Sequence, residues 1–452
     1  MSINILHYCL GFPPYRTGGL TKYVMDLAKK QSTIYQNVYV FWPGKITKDG
    51  RIDKKIIKKS NNLFSIELIN PLPVSLLEGI KNISAFTKMG DKNFYIQLLK
   101  DYQISFVHLH TLMGIHQEFI DACNDLKIPT LYTTHDFFGI CPTVNLFMNN
   151  KPCNYYKTFE YCKSCNQNAL SIENIKKMQS PSYRMIKSTF IVKIIRRYVK
   201  NKHAQFKINT VCEKDVTSIS NYKFLSDYYS YFFQRIDYFH FNSKQTKRIF
   251  DSLNLDLRGN VIPVTNSSIS DHRKPISCNK LKMNYLGGNS VSKGIYYLIE
   301  TLDKLWLKYP NSFELNIYFS SGLKKPYLIE HSAYSHNQLD EVMSNCNMVV
   351  IPSLWYETFG FVALESLSYG IPVLMSNRVG AKDHIPDGCI DTFYCENDSI
   401  FSSIEKYIRC PNLIENMNKN ICLSNLDFDF DNHFKQIEKL YNQVIKMKNV
   451  RR

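Results

Sequence analysis

No run of about eighteen apolar residues occurs in this chain of 452 residues, so no helix long enough to cross a bilayer is expected. Low-complexity segments and repeats of fixed period are also missing, which excludes disordered, fibrous and solenoid classes. The first residues, Met1-Ser-Ile-Asn-Ile-Leu-His7, do not run from charged to apolar as a signal peptide does. They read as a strand, and a cytoplasmic protein is expected. The fingerprint G-x-G-x-x-G does not follow that strand, which disfavours NAD. Acidic residues are scarce, with 39 Asp and Glu against 56 Lys and Arg, a formal charge of +17. Such a balance suits an acidic partner: nucleotide phosphates, an anionic membrane surface or nucleic acid. No nucleic-acid recognition motif appears, so nucleic acid is not expected. The thirteen cysteines are an odd number and mostly scattered. In a reducing compartment they serve as small buried hydrophobes or metal ligands rather than disulfides.

Apolar residues make up 44% of the chain and aromatic ones 13%, enough for two large domains. Strands and helices alternate in the first half. Ile3–Cys9, Val38–Trp42, Phe106–Leu112 and Thr130–Thr134 read as strands, with helices over Leu20–Lys30 and Ile115–Leu126. The second half repeats the scheme. Its strands are Asn260–Pro263, Lys282–Leu286, Glu314–Phe319, Met348–Ser353 and Pro372–Ser376, and its helices Lys293–Leu307 and Phe361–Tyr369. An amphipathic helix, Phe434–Met447, comes last. Strands separated by helices imply an α/β fold with two doubly wound, Rossmann-like domains facing each other across a cleft.

The most informative segment is Glu357-Thr-Phe-Gly-Phe-Val-Ala-Leu-Glu365, followed by Ser366-Leu-Ser-Tyr-Gly-Ile-Pro-Val-Leu374. It reads as strand, loop, helix, strand, with one carboxylate in the loop and a second along the helix. Loops after parallel strands face the ligand crevice. A carboxylate pair there can accept hydrogen bonds from sugar hydroxyls, and the free N–H groups of the helix start can face a phosphate. The first βα turn, Gly11-Phe-Pro-Pro-Tyr-Arg16-Thr-Gly18-Gly19-Leu20, lets the backbone approach a phosphate closely, with Arg16 as an added charge. His135 ends the strand in Thr133-Thr-His-Asp136 and so lies at the crevice. His108 and His110 share one face of their strand; His110, nearer its end, is assigned to the acceptor side and His108 to the core. Cys141, Cys153, Cys162 and Cys165, with spacing C-x11-C-x8-C-x2-C, suit a closed, structural, four-thiolate zinc. Between Arg184 and Lys202 an apolar set and a basic set of residues separate on a helical wheel. That pattern suits either a packed helix with a solvated basic face or an interfacial helix on an anionic membrane. The aromatic run Tyr228 to Phe233 reads as core.

Glu357 to Leu374 resembles the E-x7-E signature of the retaining family-4 glycosyltransferases, two-domain GT-B enzymes that move a sugar from a nucleotide diphosphate onto an acceptor. The resemblance covers most of the chain and is weakest over residues 45–100 and 170–235. It implies an acceptor domain over residues 1–255, with a Cys-rich loop at 141–165 and a helical insertion near 170–235. A donor domain would follow over 256–433, and a helix at 434–452 would return to the first domain. By the same resemblance Glu357 binds hydroxyls of the transferred sugar and Glu365 those of the ribose. The N–H groups of Phe359, Gly360 and Phe361 hold the sugar or its phosphates, and His135 orients the sugar. Lys293, with Gly18 and Gly19, neutralises the departing diphosphate. The family commonly carries an arginine where Gly288-Asn289-Ser290 stands here, which leaves Arg16 or another base to replace it. No cofactor is required for catalysis. The implied partners are a nucleoside-diphosphate sugar and a glycan or lipid-linked acceptor, with peripheral contact to the inner face of an anionic membrane. Surface polysaccharide synthesis is the context expected. A catalytically degenerate scaffold, an epimerase on the same fold and a basic nucleic-acid-binding protein are the competing readings.

Overall fold

The computed structural model describes residues 3–13, 16, 18–76, 79–186, 212–397 and 399–450. Ten strands belong to the first half: β1 Asn4–Tyr8, β2 Asn37–Pro43, β3 Asp53–Lys58, β4 Leu63–Ile69, β5 Phe106–Leu109, β6 Thr130–Thr133, β7 Phe147–Met148, β8 Lys151–Pro152, β9 Tyr238–Phe241 and β10 Gly259–Val261. Eight of them form one sheet in the order β10-β9-β6-β5-β1-β2-β4-β3. Every pairing in it is parallel except the β3–β4 hairpin. The second half holds β11 Leu281–Tyr285, β12 Phe313–Ile317, β13 Leu328–Glu330, β14 Met348–Ile351, β15 Val373–Ser376 and β16 Ile390–Phe393. These make an all-parallel sheet ordered β13-β12-β11-β14-β15-β16.

The strand sequences explain this arrangement. β1, β5, β6 and β14 are buried at every position, as strands covered by helices on both faces must be. Helix Gly19–Gln31 buries Tyr23, Val24, Leu27, Ala28 and Gln31 on one face, the spacing of an amphipathic helix. One apolar cluster runs from Ile5 and Val24 through Val349 and Leu367 to Phe434, Ile437 and Val444, so the two halves and the last helix share a core. That helix, Phe430–Val450, lies against the first sheet. Tyr441 stacks on Phe106 at 4.3 Å, and the half-hidden Lys448–Asp237 ion pair closes at 2.7 Å.

Three local readings of the sequence are revised. Gly259–Val261 pairs with β9, so the strand grouped by pattern with the second half extends the first sheet. Lys293 closes a short 3-10 turn, Val291–Lys293, and the helix begins only at Ile295. The break is Gly294, with φ 78°, because a Cβ there would stand 1.7 Å from the Pro352 carbonyl oxygen. The β3–β4 hairpin, lying where the resemblance is weakest, has an exposed and lysine-rich outer strand that carries too few apolar residues to read as a strand. Of the basic segment 184–202, residues 187–202 lie outside the described residues. Among the described residues no helix is long and apolar enough to cross a membrane. Tyr229, Phe232 and Phe233 are buried, which places the aromatic run in the core.

Candidate functional site

Both sheets reverse their strand order beside a central strand, and loops diverge there to leave a crevice. In the first sheet the switch falls between β1 and β5, and in the second between β11 and β14. The Gly18-Gly19 loop follows β1, and His110 follows β5. Lys293 follows β11 and Glu357 follows β14. The topology thus gathers residues that stand far apart in the chain.

Lys293 Nζ binds Glu357 Oε1 at 2.9 Å and lies 5.0 Å from the Trp355 ring centroid. The Ser353 hydroxyl and, at 3.4 Å, Trp355 Nε1 donate to the same carboxylate oxygen. Burial alone would raise the Glu357 carboxyl. The Lys293 charge and the three donors outweigh it and hold the group below its ordinary value. Glu365 shows the opposite balance: burial raises it, against a weaker opposing effect of His336. The two carboxylates of the motif therefore sit in different electrostatic surroundings.

Gly360, with φ 98°, caps helix Phe361–Ser368. The first turn of that helix has N–H groups without intrahelical partners, pointing from its positive end. A Cβ on Gly19 would meet the Phe361 ring at 3.1 Å, so the glycine loop of the first half lies directly against this helix start. The Thr358 hydroxyl donates to the His135 carbonyl at 2.9 Å, tying the Glu357 loop to the strand end of the first sheet. Helix Lys244–Asp251 adds a further clamp. Gln245 Nε2 donates to the Arg378 carbonyl at 2.7 Å and the Glu357 carbonyl at 3.3 Å, and Thr246 to the Thr358 carbonyl at 3.1 Å. Arg378 itself is buried, with its guanidinium on the Leu354 carbonyl at 2.6 Å and on Glu396. Arg16 stands in the loop after β1, its N–H donating to the Phe12 carbonyl at 3.1 Å. Asn289 accepts from Tyr296 at 2.8 Å.

The histidines are the feature sequence reasoning missed. His7, His108, His110, His135, His240 and His433 collect at one end of the first sheet, in contact with one another and with Tyr23 and Tyr441. His135 is half-buried at the crevice. His110 is fully buried and lies behind His135, not on an open acceptor face; its two ring nitrogens meet His7 at 3.1 Å and His135 at 3.2 Å. Burial pushes His135 down to about 3, with His240 and His433 adding to the effect, so the ring is neutral. Among the described residues, His7, His108 and His110 are the set whose ligand atoms lie close enough to hold a metal. Each of their ring nitrogens already has a hydrogen-bond partner, since His108 bonds Tyr441 and Thr133, both at 2.7 Å, and His7 bonds Gln31 at 2.6 Å. The alternation His108-x-His110 was the visible part of this signal; His7, Gln31, His240 and His433 come from other elements.

Cys141, Cys153, Cys162 and Cys165 border one small cavity together with Tyr155, Tyr156 and Tyr161. A fifth cysteine, Cys212, is hydrogen-bonded to Cys165. Burial raises the Cys153 thiol to about 12. No three of these sulfurs lie within 4.8 Å of one another, which is looser than a tetrahedral centre with metal–sulfur bonds of about 2.3 Å requires.

Residues 329–422 match the family described as Glycosyl transferases group 1, a segment that contains Glu357 and Glu365. Comparison with curated protein sequences gives no match. The whole chain is similar to the solved structure of sucrose-phosphate synthase from Thermosynechococcus elongatus, at 14% identity and TM-score 0.55, over 98% of this chain and 100% of that one. It is similar to Anabaena HepE in complex with UDP-glucose, at 13% identity and TM-score 0.54, over 98% and 100%. It also resembles WaaG, a glycosyltransferase involved in lipopolysaccharide biosynthesis, at 13% identity and TM-score 0.52, over 97% and 99%. At these identities the likeness establishes the fold, two Rossmann-like sheets of the GT-B type.

Proposed function

We propose, with the GT-B fold and the glycosyl transferases group 1 segment at residues 329–422 as premise, that this chain transfers a sugar from a nucleoside-diphosphate sugar to an acceptor hydroxyl with retention. The observation that carries the reading is the Lys293–Glu357 pair, set at one switch point and opposite the Gly18-Gly19 loop and His135. Lys293 is the counter-ion of Glu357. A donor diphosphate would draw the ammonium toward itself, and the released carboxylate would accept hydrogen bonds from the sugar hydroxyls. Glu365 would hold the ribose, and the N–H groups of Phe359, Gly360 and Phe361 the sugar or its phosphates. Lys293, the glycine loop, the helix start and Arg16 would stabilise the leaving diphosphate, as fixed charges and dipoles can without a divalent metal. By the resemblance of the E-x7-E segment, the bond would break through an oxocarbenium-like state with the acceptor entering on the same face.

The Anabaena structure holds UDP-glucose, so UDP is the first nucleotide to try, with GDP, dTDP and CMP beside it. A ligand at about 100 times its dissociation constant stabilises by about 2.7 kcal/mol. Thermal unfolding should move up with one nucleotide and lose that response in Glu365→Ala; no response to any of them would remove the donor assignment. A glycan or lipid-linked acceptor of a surface polysaccharide, reached by peripheral contact with an anionic membrane, is the acceptor side of the same proposal. The positive charge supports it. A zinc held by Cys141, Cys153, Cys162 and Cys165 is a separate proposal, supported by their common cavity and requiring the loop to draw the sulfurs together. Elemental analysis should find close to one equivalent, and a trace would end that idea.

A further inference from the structure

His135 is the solvent-side end of a buried line of hydrogen bonds whose direction can be assigned from its far end. Glu438, on the last helix, accepts from Gln31 Nε2 at 3.0 Å through one oxygen and from the Tyr35 hydroxyl through the other. Burial pushes the Glu438 carboxyl up, and the Tyr35 and Gln31 donors oppose it; with a donor against each oxygen, the carboxylate has only acceptor roles. The Gln31 amide must therefore turn its NH2 toward Glu438 and its oxygen toward His7. Gln31 Oε1 lies 2.6 Å from His7 Nε2, so that nitrogen carries the proton. Burial lowers His7 to about 4, and His110 and His135 lower still, so each ring is neutral with a single proton. His7 Nδ1 then accepts, and its neighbour at 3.1 Å, His110 Nε2, donates. His110 Nδ1 accepts in turn, and His135 Nε2, at 3.2 Å, donates. His135 Nδ1 is left with a lone pair. No hydrogen bond to it is formed among the described residues, and the residue is half-buried at the crevice.

We propose that Glu438 and Gln31 are positioning residues that hold His135 in its Nε2–H tautomer, so that the group presented to the crevice is a hydrogen-bond acceptor matched to a hydroxyl of the bound sugar. The identity of that hydroxyl rests on the glycosyltransferase reading; the tautomer does not. A histidine of the other tautomer would present an N–H and would find its partner in a phosphate or carbonyl oxygen instead. The last helix thereby reaches the site through three intervening side chains without touching a substrate.

The test is a two-bond nitrogen–proton correlation spectrum of the full chain labelled with 15N-histidine at neutral pH, with His135→Gln identifying the signal. The expected result is a protonated Nε2 and a bare Nδ1 on His135, without any substrate present. In Glu438→Gln the new amide keeps its carbonyl toward Tyr35 and turns its NH2 to Gln31, so the whole line inverts and His135 carries its proton on Nδ1. Turnover should fall by roughly 10- to 100-fold, the usual scale for losing an orienting partner. Gln31→Met, which cuts the line without reversing it, should leave His135 a mixture of tautomers and serves if Glu438→Gln does not fold. A wild-type His135 protonated on Nδ1, or tautomers unmoved by both variants, overturns the proposal. The expected tautomers in a chain that binds no nucleotide would overturn the glycosyltransferase reading and leave the relay standing.

Discussion

At the scale of single residues the site is a set of charges whose partners decide their state. Glu357 is named by its motif, but its counter-ion is not; Lys293 stands 64 positions away and meets it only because both loops leave adjacent strands. Lys293→Met should leave Glu357 with two neutral donors in a buried place, so its carboxyl should rise from its lowered value. The consequence for pH has a definite sign. A carboxyl held low in the folded state contributes stability that is complete above the ordinary glutamate value of about 4.3 and is lost as pH falls through the folded value. The acid limb of activity should therefore move to higher pH in Lys293→Met, and turnover should fall by about 100- to 1000-fold, as for loss of a donor to developing charge. Both are read from a pH–rate profile with a fixed donor. Glu357→Ala should abolish transfer in a chain that still unfolds cooperatively, at a lower melting temperature because the Lys293 pair is lost; unchanged turnover would remove Glu357 from the site.

At the scale of elements, the central strands β1, β2, β5, β6, β11, β12, β14 and β15 were legible because burial on both faces of a parallel sheet leaves nearly continuous apolar runs. By contrast, β4, β9, β13 and β16 and the helices Lys92–Asp101, Lys244–Asp251, Ser399–Arg409 and Asn412–Leu423 were not read. Nor was the break at Gly294. Nothing in Lys293-Gly294-Ile295 says that the Pro352 carbonyl will lie against the glycine, since that contact comes from a neighbouring loop of the second sheet. Gly294→Ala should destabilise by about 3 kcal/mol or more, through left-handed strain together with a backbone clash. Gly288→Ala, where an added Cβ meets nothing within 4 Å, should change stability by less than about 0.5 kcal/mol. Urea unfolding of the two variants side by side checks the contrast. Gly259–Val261 illustrates the same limit. Three residues carry too little pattern to state which sheet they join, and the edge of β9 decided it.

At the scale of the whole molecule the buried histidines couple the fold to pH. Burial lowers His7, His116 and His240 to about 4 and His135 and His433 to about 3, and lowers His108 and His110 well below the ordinary value. Each stays neutral in the folded chain and takes up a proton when unfolded below about pH 6.5, so each removes up to about 1.4 kcal/mol of stability per pH unit. The loss runs from pH 6.5 downward until the folded values near 4 and 3 are reached. The melting temperature should be level above pH 7 and fall steeply between pH 6.5 and 5; a flat profile across that window would show these rings already charged in the fold. The two alternating α/β halves and the E-x7-E loop could be read along the chain, because period, turn residues and motif spacing are local properties. Which residues meet was settled by the folded arrangement. The pairing of Lys293 with Glu357, the seating of Gly19 on Phe361 and the gathering of six histidines from strands, loops and the last helix depend on strand order and on where that helix returns. Neither is written within any one segment.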